Sequence, residues 1–437
     1  MAAGAEGERE PGEAPGARPY AAWLPWLVWG LGAAMFFYGF FHRIAPSVMI
    51  DSLMRDFSAS GAVLGNLSAV YFYAYAALQI PVGLMLDRWG ARRMLTGSAL
   101  LCAGGSLAFG LADSLSLAYA GRFLIGAGAA FSFVGTLTLA ALWFPANRFS
   151  QFAGMTMMAG MAGGFAAQAP LAAVVEVTDW RTVLIAAAAL GAVLAGAIWL
   201  IVRDAPPGRP RHHGGEAQSL GQLLRGLVEV LTRRQNWFIS LCAAGMSAPM
   251  LSFAGLWGVA WLIQAHGLSR PEAGATTSLL MIGWAIGSPL AGAISDRVDR
   301  PKLTMQAGML LGLVCFSALL YVPDLPKPLL WALMFLAGCG LGAMVVCYAL
   351  MRQTNRPQVT GAALGFSNGL TVGAGAVFQP LVGLLLDLRW DGEMLEGARV
   401  YSADAYAFAF SVLVGYLALC LVMSVFIRQN PRNDPAP

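Results

Sequence analysis

Charge is scarce in this chain. Of 437 residues, 11% are Asp, Glu, Lys or Arg, against roughly a quarter in soluble domains, and that excludes a water-soluble fold. Lysine is nearly missing, confined to Lys302 and Lys327. No carboxylate stands in the middle of an apolar run, since Asp51, Asp87, Asp113 and Asp296 all fall at run ends. The cysteines (Cys102, Cys242, Cys315, Cys339, Cys347, Cys420) lie inside apolar runs with no metal-ligand spacing or disulfide pattern, so they read as small packing residues. No nucleophile–base pair or metal constellation occurs in the runs or the loops, which leaves an enzymatic reading without chemistry. Residues 1–20 are rich in Ala, Gly, Pro and Glu and lack a basic n-region. The apolar run after them is too long for a signal peptide, so a disordered tail and a retained first helix are expected.

What the chain does have is hydrophobic sequence, at 58% of residues. Runs of about twenty apolar residues, the length that crosses ~30 Å of hydrocarbon, recur along it. Transmembrane β-barrels read as short alternating segments and are excluded. The pattern predicts an all-α membrane protein of twelve helices, over 23–50, 61–86, 94–112, 116–144, 150–175, 181–203, 236–264, 273–295, 302–322, 328–351, 359–387 and 402–427. These form an N-terminal six-helix half, 21–203, and a C-terminal half, 236–428, with a polar connection at 204–235 and a short tail at 429–437. The connection holds an amphipathic stretch around Leu220–Leu231, expected to lie along the membrane surface.

The halves are related to each other. Gly83-Leu-Met-Leu-Asp87-Arg88-Trp-Gly90-Ala-Arg92-Arg93 closes the second helix, and 209 positions later Gly292-Ala-Ile-Ser-Asp296-Arg297-Val-Asp299-Arg300-Pro-Lys302 closes the eighth. Gln168-Ala-Pro170-Leu171 in helix 5 is echoed by Gln379-Pro380-Leu381 in helix 11. In each, the proline bends the helix and the glutamine is expected to satisfy the freed carbonyl locally. Two pseudo-symmetric repeats are the layout of many secondary transporters. With both termini inside, 19 Lys/Arg fall on the cytoplasmic side and 6 on the other, which orients the chain with N- and C-termini cytoplasmic in the cell (inner) membrane.

These motifs resemble the major facilitator superfamily. Residues 83–93 match its loop 2–3 motif except at Ala91, residues 292–302 are a degenerate second copy, and Gly121-Arg122-Phe-Leu-Ile-Gly126-Ala-Gly128 resembles its helix 4 motif. The first half is most similar to the organic anion:cation symporters and related bacterial nutrient importers, through Phe40-Phe41-His42-Arg43-Ile-Ala-Pro46-Ser47-Val-Met49, Trp143-Phe144-Pro145 and Asp179-Trp180-Arg181. The resemblance implies a conformational gate of Gly83, Asp87, Arg88, Gly90 and Arg92, with Arg148 nearby and Asp296 and Arg297 in the second copy. In that gate a carboxylate held at a helix N-terminus stabilises the outward-open state. Two positions depart from the pattern. His42 replaces an acid beside Arg43, and Ala129 stands where some symporters carry a proton-coupling carboxylate.

Arg43 and Arg122 are the only Lys/Arg residues well inside the helices. Each costs roughly 2.5–3.5 kcal/mol at the bilayer centre, so each should face a cavity or a partner. A guanidinium fork suits a carboxylate or phosphate, and in the resembled fold helices 1 and 4 line the cavity. The alternative is snorkelling to the headgroups. His42 is a candidate proton carrier and equally a structural residue. Tyr75, Gln168, Trp257, Trp261, Tyr348 and Gln379 are further substrate-binding candidates, with Tyr71, Gln79 and Asn368 beside them; packing is the alternative for each. The expectation is a monomeric, alternating-access importer of a small anionic or zwitterionic solute such as an organic acid, amino acid or dipeptide. Its partners are that small-molecule substrate and the lipid bilayer, with no nucleic acid, metal or cofactor, and proton coupling stays open. A drug or metabolite exporter, and a non-transporting sensor or assembly factor, are the alternatives.

Overall fold

The computed structural model describes residues 21–145, 148–205, 226, 228–356 and 359–428. The tails expected at 1–20 and 429–437, and most of the 204–235 connection, lie outside these. Twelve helical spans follow one another. Span 1 is Leu24–Ile44 with a 3-10 turn at Ala45–Val48; span 2 is Gly61–Trp89, span 3 Ala91–Gly110, and span 4 Leu115–Ala129 with Ser132–Trp143. Span 5 is Phe149–Ala166 with Ala169–Val177, and span 6 is Trp180–Ile201. Span 7 runs from Arg234–Ala248 through Pro249–Trp257 to Gly258–His266, span 8 is Arg270–Val298 and span 9 Pro301–Tyr321. Span 10 is Lys327–Gly342 with Val345–Thr354, span 11 Thr360–Leu388 and span 12 Ala403–Ser424. Among the described residues eleven helices are long and apolar enough to cross a membrane. Span 3, whose first turn holds Arg92 and Arg93, completes the twelve.

Helix starts are written in the sequence. At the end of the bundle away from the termini, Ser60, Ser114, Asp179, Ser269 and Ser402 each accept a backbone N–H from the first turn of spans 2, 4, 6, 8 and 12, donors that a helix cannot satisfy itself. Proline sets the breaks. Pro46 cannot donate to the carbonyl of His42, so span 1 tightens into a 3-10 turn six residues earlier than the pattern predicts. A separate short helix, Ile50–Phe57, follows it. Span 5 breaks at Gln168 before Pro170, whereas span 11 continues through Pro380. Span 7 holds a π-helical stretch, Pro249–Trp257, inside its otherwise α-helical course.

Spans 1–6 and 7–12 form two bundles that meet along spans 2 and 11 and along spans 5 and 8. Leu190, Val193 and Leu200 of span 6, Leu310 and Val314 of span 9, and Leu419 and Val422 of span 12 are exposed apolar residues on the outside of the bundle, where lipid is the solvent. The polar contacts between the halves, where both partners are described, all lie at mid-depth or at the far end. Arg270 donates to Val48 O and pairs with Asp51 at 2.7 Å. Arg55 reaches Glu396 at 3.7 Å, in the turn of a two-stranded hairpin, Met394–Leu395 paired with Ala398–Arg399. The halves are zipped at the far end.

Candidate functional site

Small residues bring the polar groups together. A Cβ on Gly126 would run into the backbone of Tyr71, and one on Gly128 into Ser98 and Cys102. Span 4 therefore lies directly against spans 2 and 3. This approach carries Arg122, 1% exposed, into the first half. Its guanidinium donates to His42 O at 2.8 Å and Ser68 O at 3.2 Å and lies 5.3 Å from the Tyr71 ring centroid. The His42 carbonyl is the one that Pro46 leaves without a helical donor. Arg122 fills that vacancy and ties spans 1, 2 and 4.

Arg43 is held differently. It is 6% exposed and packed among aromatic faces, with its Cζ 4.3 Å from the Phe40 ring, 4.9 Å from Tyr75, 5.4 Å from Tyr71 and 5.8 Å from Phe72. Its polar neighbours are the hydroxyls of Tyr71 and Tyr75. Its Nε has no hydrogen-bond partner, and among the described residues no carboxylate pairs with it. One turn along span 2 from Tyr75, Gln79 accepts from Asn368 of span 11 at 3.4 Å, and Asn368 in turn accepts from Tyr348 of span 10 at 3.1 Å. Arg43, Tyr75 and Tyr348 are thus gathered with Tyr71, Gln79 and Asn368 where the halves meet at mid-depth. The arrangement offers one uncompensated cation, flat aromatic walls and a row of neutral hydrogen-bonding groups.

His42 points elsewhere. Its ring stands edge-on to Tyr38, with centroids 4.6 Å apart, and Tyr38 donates to Ala187 O of span 6. Both imidazole nitrogens are buried without partners. The residue faces the interior of the first half, away from Arg43.

The two glutamines share a job that their motifs did not disclose. Gln168 Nε2 donates to Ala254 O and Gln379 Nε2 to Leu251 O, both at 2.8 Å. Both acceptors lie in the π-helical stretch of span 7, and both glutamines are fully buried. Trp257 Nε1 returns a bond to Gln379 O at 3.1 Å. The glutamines therefore serve a neighbouring span instead of their own bend. Trp261 packs against Phe253, Phe410 and His266 inside the second half. None of these four reaches the Arg43 cluster.

The charged turns sit at the terminal end. Gly90 has φ 82°, a conformation that suits glycine. The Arg92 N–H donates to Asp204 at 2.8 Å, and its guanidinium caps Trp199 O at the end of span 6. This docks the turn on its own half. Gly83 has nothing within 4 Å of where a Cβ would stand. Arg88, Arg148, Asp296 and Arg297 are exposed, and the Asp87 side chain lies outside the described residues. The sequence reading missed the groups that hold the far end, Asp387 and Tyr401. An Asp one residue before the end of span 11, followed by Arg399 and Tyr401, was their only signal.

A sequence model of the Major Facilitator Superfamily matches residues 31–380 and 248–437. The chain is 24% identical to the probable galactarate/D-glucarate transporter GudP of Bacillus subtilis, with 90% of this chain and 91% of that protein covered. It is also 24% identical to the probable sulfoacetate transporter SauU of Cupriavidus necator, over 62% and 65% of the two chains. Among solved structures, a bacterial homologue of the human lysosomal transporter Spinster, described as inward-facing and unoccupied, superposes with a TM-score of 0.78. It is 18% identical, with 93% of this chain and 98% of that one covered.

Proposed function

Because the chain belongs to the major facilitator superfamily, we propose that it imports a small organic anion by alternating access, with Arg43 holding the anionic group. The observation that carries this reading is the state of Arg43. A buried guanidinium without a counterion is costly in the membrane, and an anionic ligand supplies the missing charge by bidentate, charge-assisted hydrogen bonds. Aromatic faces hold the empty guanidinium in place by cation–π attraction. Gln79, Asn368 and Tyr348 suit the hydroxyls of a polar tail. The relatives named for galactarate, glucarate and sulfoacetate share an acidic group on a short polar chain, which supports the same class here.

Arg122 is read as a rivet between spans, since carbonyl acceptors occupy both of its terminal nitrogens and only its Nε, like that of Arg43, lacks a partner. His42 is read as packing, because its ring is turned away from the cluster. The cation asymmetry, 19 against 6, supports a cytoplasmic terminal end. On that orientation the polar contacts between the halves, at mid-depth and at the far end, support closure on the outer side.

A thermal-shift screen of purified protein tests the reading. Galactarate, glucarate and sulfoacetate are compared with galactitol, a neutral polyol of the same length as galactarate. An acid is expected to raise the unfolding midpoint, galactitol to leave it unchanged, and Arg43→Ala to abolish the response. Equal stabilisation by galactitol, or a full response in Arg43→Ala, overturns the assignment.

A further inference from the structure

Asp387 makes two hydrogen bonds from one half of the protein to the other. Its Oδ1 accepts the Gly61 N–H at 2.9 Å and its Oδ2 the Ala62 N–H at 2.8 Å. These are the first two N–H groups of span 2, in the opposite half, and they have no partner within their own helix. The Tyr401 hydroxyl donates to Oδ1 at 2.6 Å and Arg399 Nη1 at 3.1 Å, so the carboxylate is also fixed from its own side. Ser60 takes the next N–H, that of Val63. The positive end of span 2 is thus capped largely by the other half of the protein, in the geometry that favours an anion. The backbones beneath are in contact: a Cβ on Gly61 would stand 2.7 Å from Gly383 O, and one on Gly383 would strike Gly61 O.

The placement has a counterpart in the chain. Spans 2 and 11 are antiparallel neighbours of 29 residues each. Asp387 stands one residue before the end of span 11 and reaches the start of span 2. Asp87 stands two residues before the end of span 2, which sets it by the same register beside the start of span 11. Here the far end is zipped, while Gly83 and Gly361, near the ends of spans 2 and 11 at the terminal end, have open space around them. We propose that Asp387 is a positioning residue of the transport cycle. It latches the far end by capping span 2 across the halves, and its release is exchanged for engagement of Asp87 at the terminal end. Arg399 and Tyr401 hold it in register. The inference rests on the alternating-access reading above.

Spin labels at Ser116 and Glu393, exposed positions on opposite halves of the far end, report its opening by pulsed-dipolar distance measurement. The background is the full chain with its native cysteines replaced by serine. The parent is expected to show a dominant short distance and a minor long one. Asp387→Asn should lower the short-to-long ratio tenfold or more, and Tyr401→Phe should move it the same way by less. Asp87→Asn should raise the ratio, and the double variant should return near the parent. Opposite shifts are the decisive readout, because a residue that merely supports folding would not give them. If Asp387→Asn leaves the parent's two populations as they were while Asp87→Asn shifts them, the latch is wrong and alternating access stands. A single distance in every variant, with or without galactarate, removes alternating access and the latch with it. Should Asp387→Asn fail to fold, Tyr401→Phe decides: an unchanged ratio there overturns the proposal.

Discussion

Arg43 and Arg122 look alike in the sequence, and the structure predicts opposite consequences for removing them. Arg122→Met deletes two hydrogen bonds from a charged donor, each ~1.5–3 kcal/mol, and a contact with the Tyr71 face of ~0.5–2 kcal/mol. The Ser68 carbonyl keeps its own helical donor, but the His42 carbonyl has none, because Pro46 stands four residues on. Relief of a buried cation, roughly 2.5–3.5 kcal/mol, offsets part of the loss. The balance is a destabilisation of about 2 kcal/mol, visible as a midpoint lower by a few degrees at fixed scan rate. Arg43→Met forfeits only contacts with aromatic faces and tyrosine hydroxyls and gains the same relief, so the ligand-free midpoint should hold or rise.

The ligand response should split the other way. A saturating acid at 100 times its Kd adds about 2.7 kcal/mol to the folded state. Arg122→Met should keep most of that increment on its lowered baseline, whereas Arg43→Met should lose it. Midpoints of the three proteins, each with and without the best acid from the screen, give both readouts in one experiment. An Arg122 variant with an unmoved baseline and no ligand response would refute the reasoning, because it would make Arg122 the anion-binding group.

Other substitutions follow from the same geometry. Gln379→Leu leaves the Leu251 carbonyl without its side-chain donor and should cost about 1–3 kcal/mol, read as a lower midpoint. Gly65→Val places a side chain against Gln379 O and Pro380 of span 11, so it should part the far end and lengthen the distance between labels at Ser116 and Glu393. His42→Gln should leave uptake equally responsive to an imposed proton gradient; uptake that persists but ignores the gradient would restore the proton-carrier reading. Burial alone would raise the pKa of Asp56, but hydrogen bonds from Trp180 and Arg181 outweigh it and hold it below the ordinary aspartate value. Its stabilising contribution is therefore present above about pH 4 and lost as pH falls through the lowered value, so Asp56→Asn should flatten the acid side of a midpoint-versus-pH curve.

Much of the architecture was legible because membrane physics writes it in blocks. Run length places the spans, and Ser or Asp before a run places its start. The repeated charged turn shows the duplication. The site was legible only as far as charge is informative. Two interior arginines are conspicuous, but which one finds backbone carbonyl acceptors depends on a proline four residues from His42 and on glycines that set how closely span 4 approaches spans 2 and 3. Trp257 and Trp261 illustrate the opposite failure. Their i, i+4 spacing suits a cavity-facing stripe, yet nine π-helical residues between Pro249 and Trp257 change the angular register, so the α-helical period does not say which way they point. Asp387 was hidden because a carboxylate at a helix end is ordinary, and its acceptor role appears only when a helix 326 residues away in the chain lies alongside.

The Gln-Pro echo is where the pseudo-symmetry of the halves gives way to mechanism. Gln168 and Gln379 occupy related positions, and each sends its amide to span 7. Gln379 does so within its own half, and Gln168 crosses to the other. π-Helical winding is rare and mostly confined to single turns, and Pro249–Trp257 takes two side-chain donors from outside its own span. Under the proposed alternating access one of the two donors would leave when the far end opens, because Gln168 belongs to the opposite half. The stretch should then rewind or take a new donor, which couples the local winding of span 7 to separation of the halves. Gln168→Leu isolates that coupling. If separation of the halves breaks the bond, its loss should raise the open population at the far end, while Gln379→Leu should lower stability with little change in that ratio. Equal effects of the two on both readouts would show that the echoed glutamines are interchangeable struts and that span 7 does not sense the state of the gate.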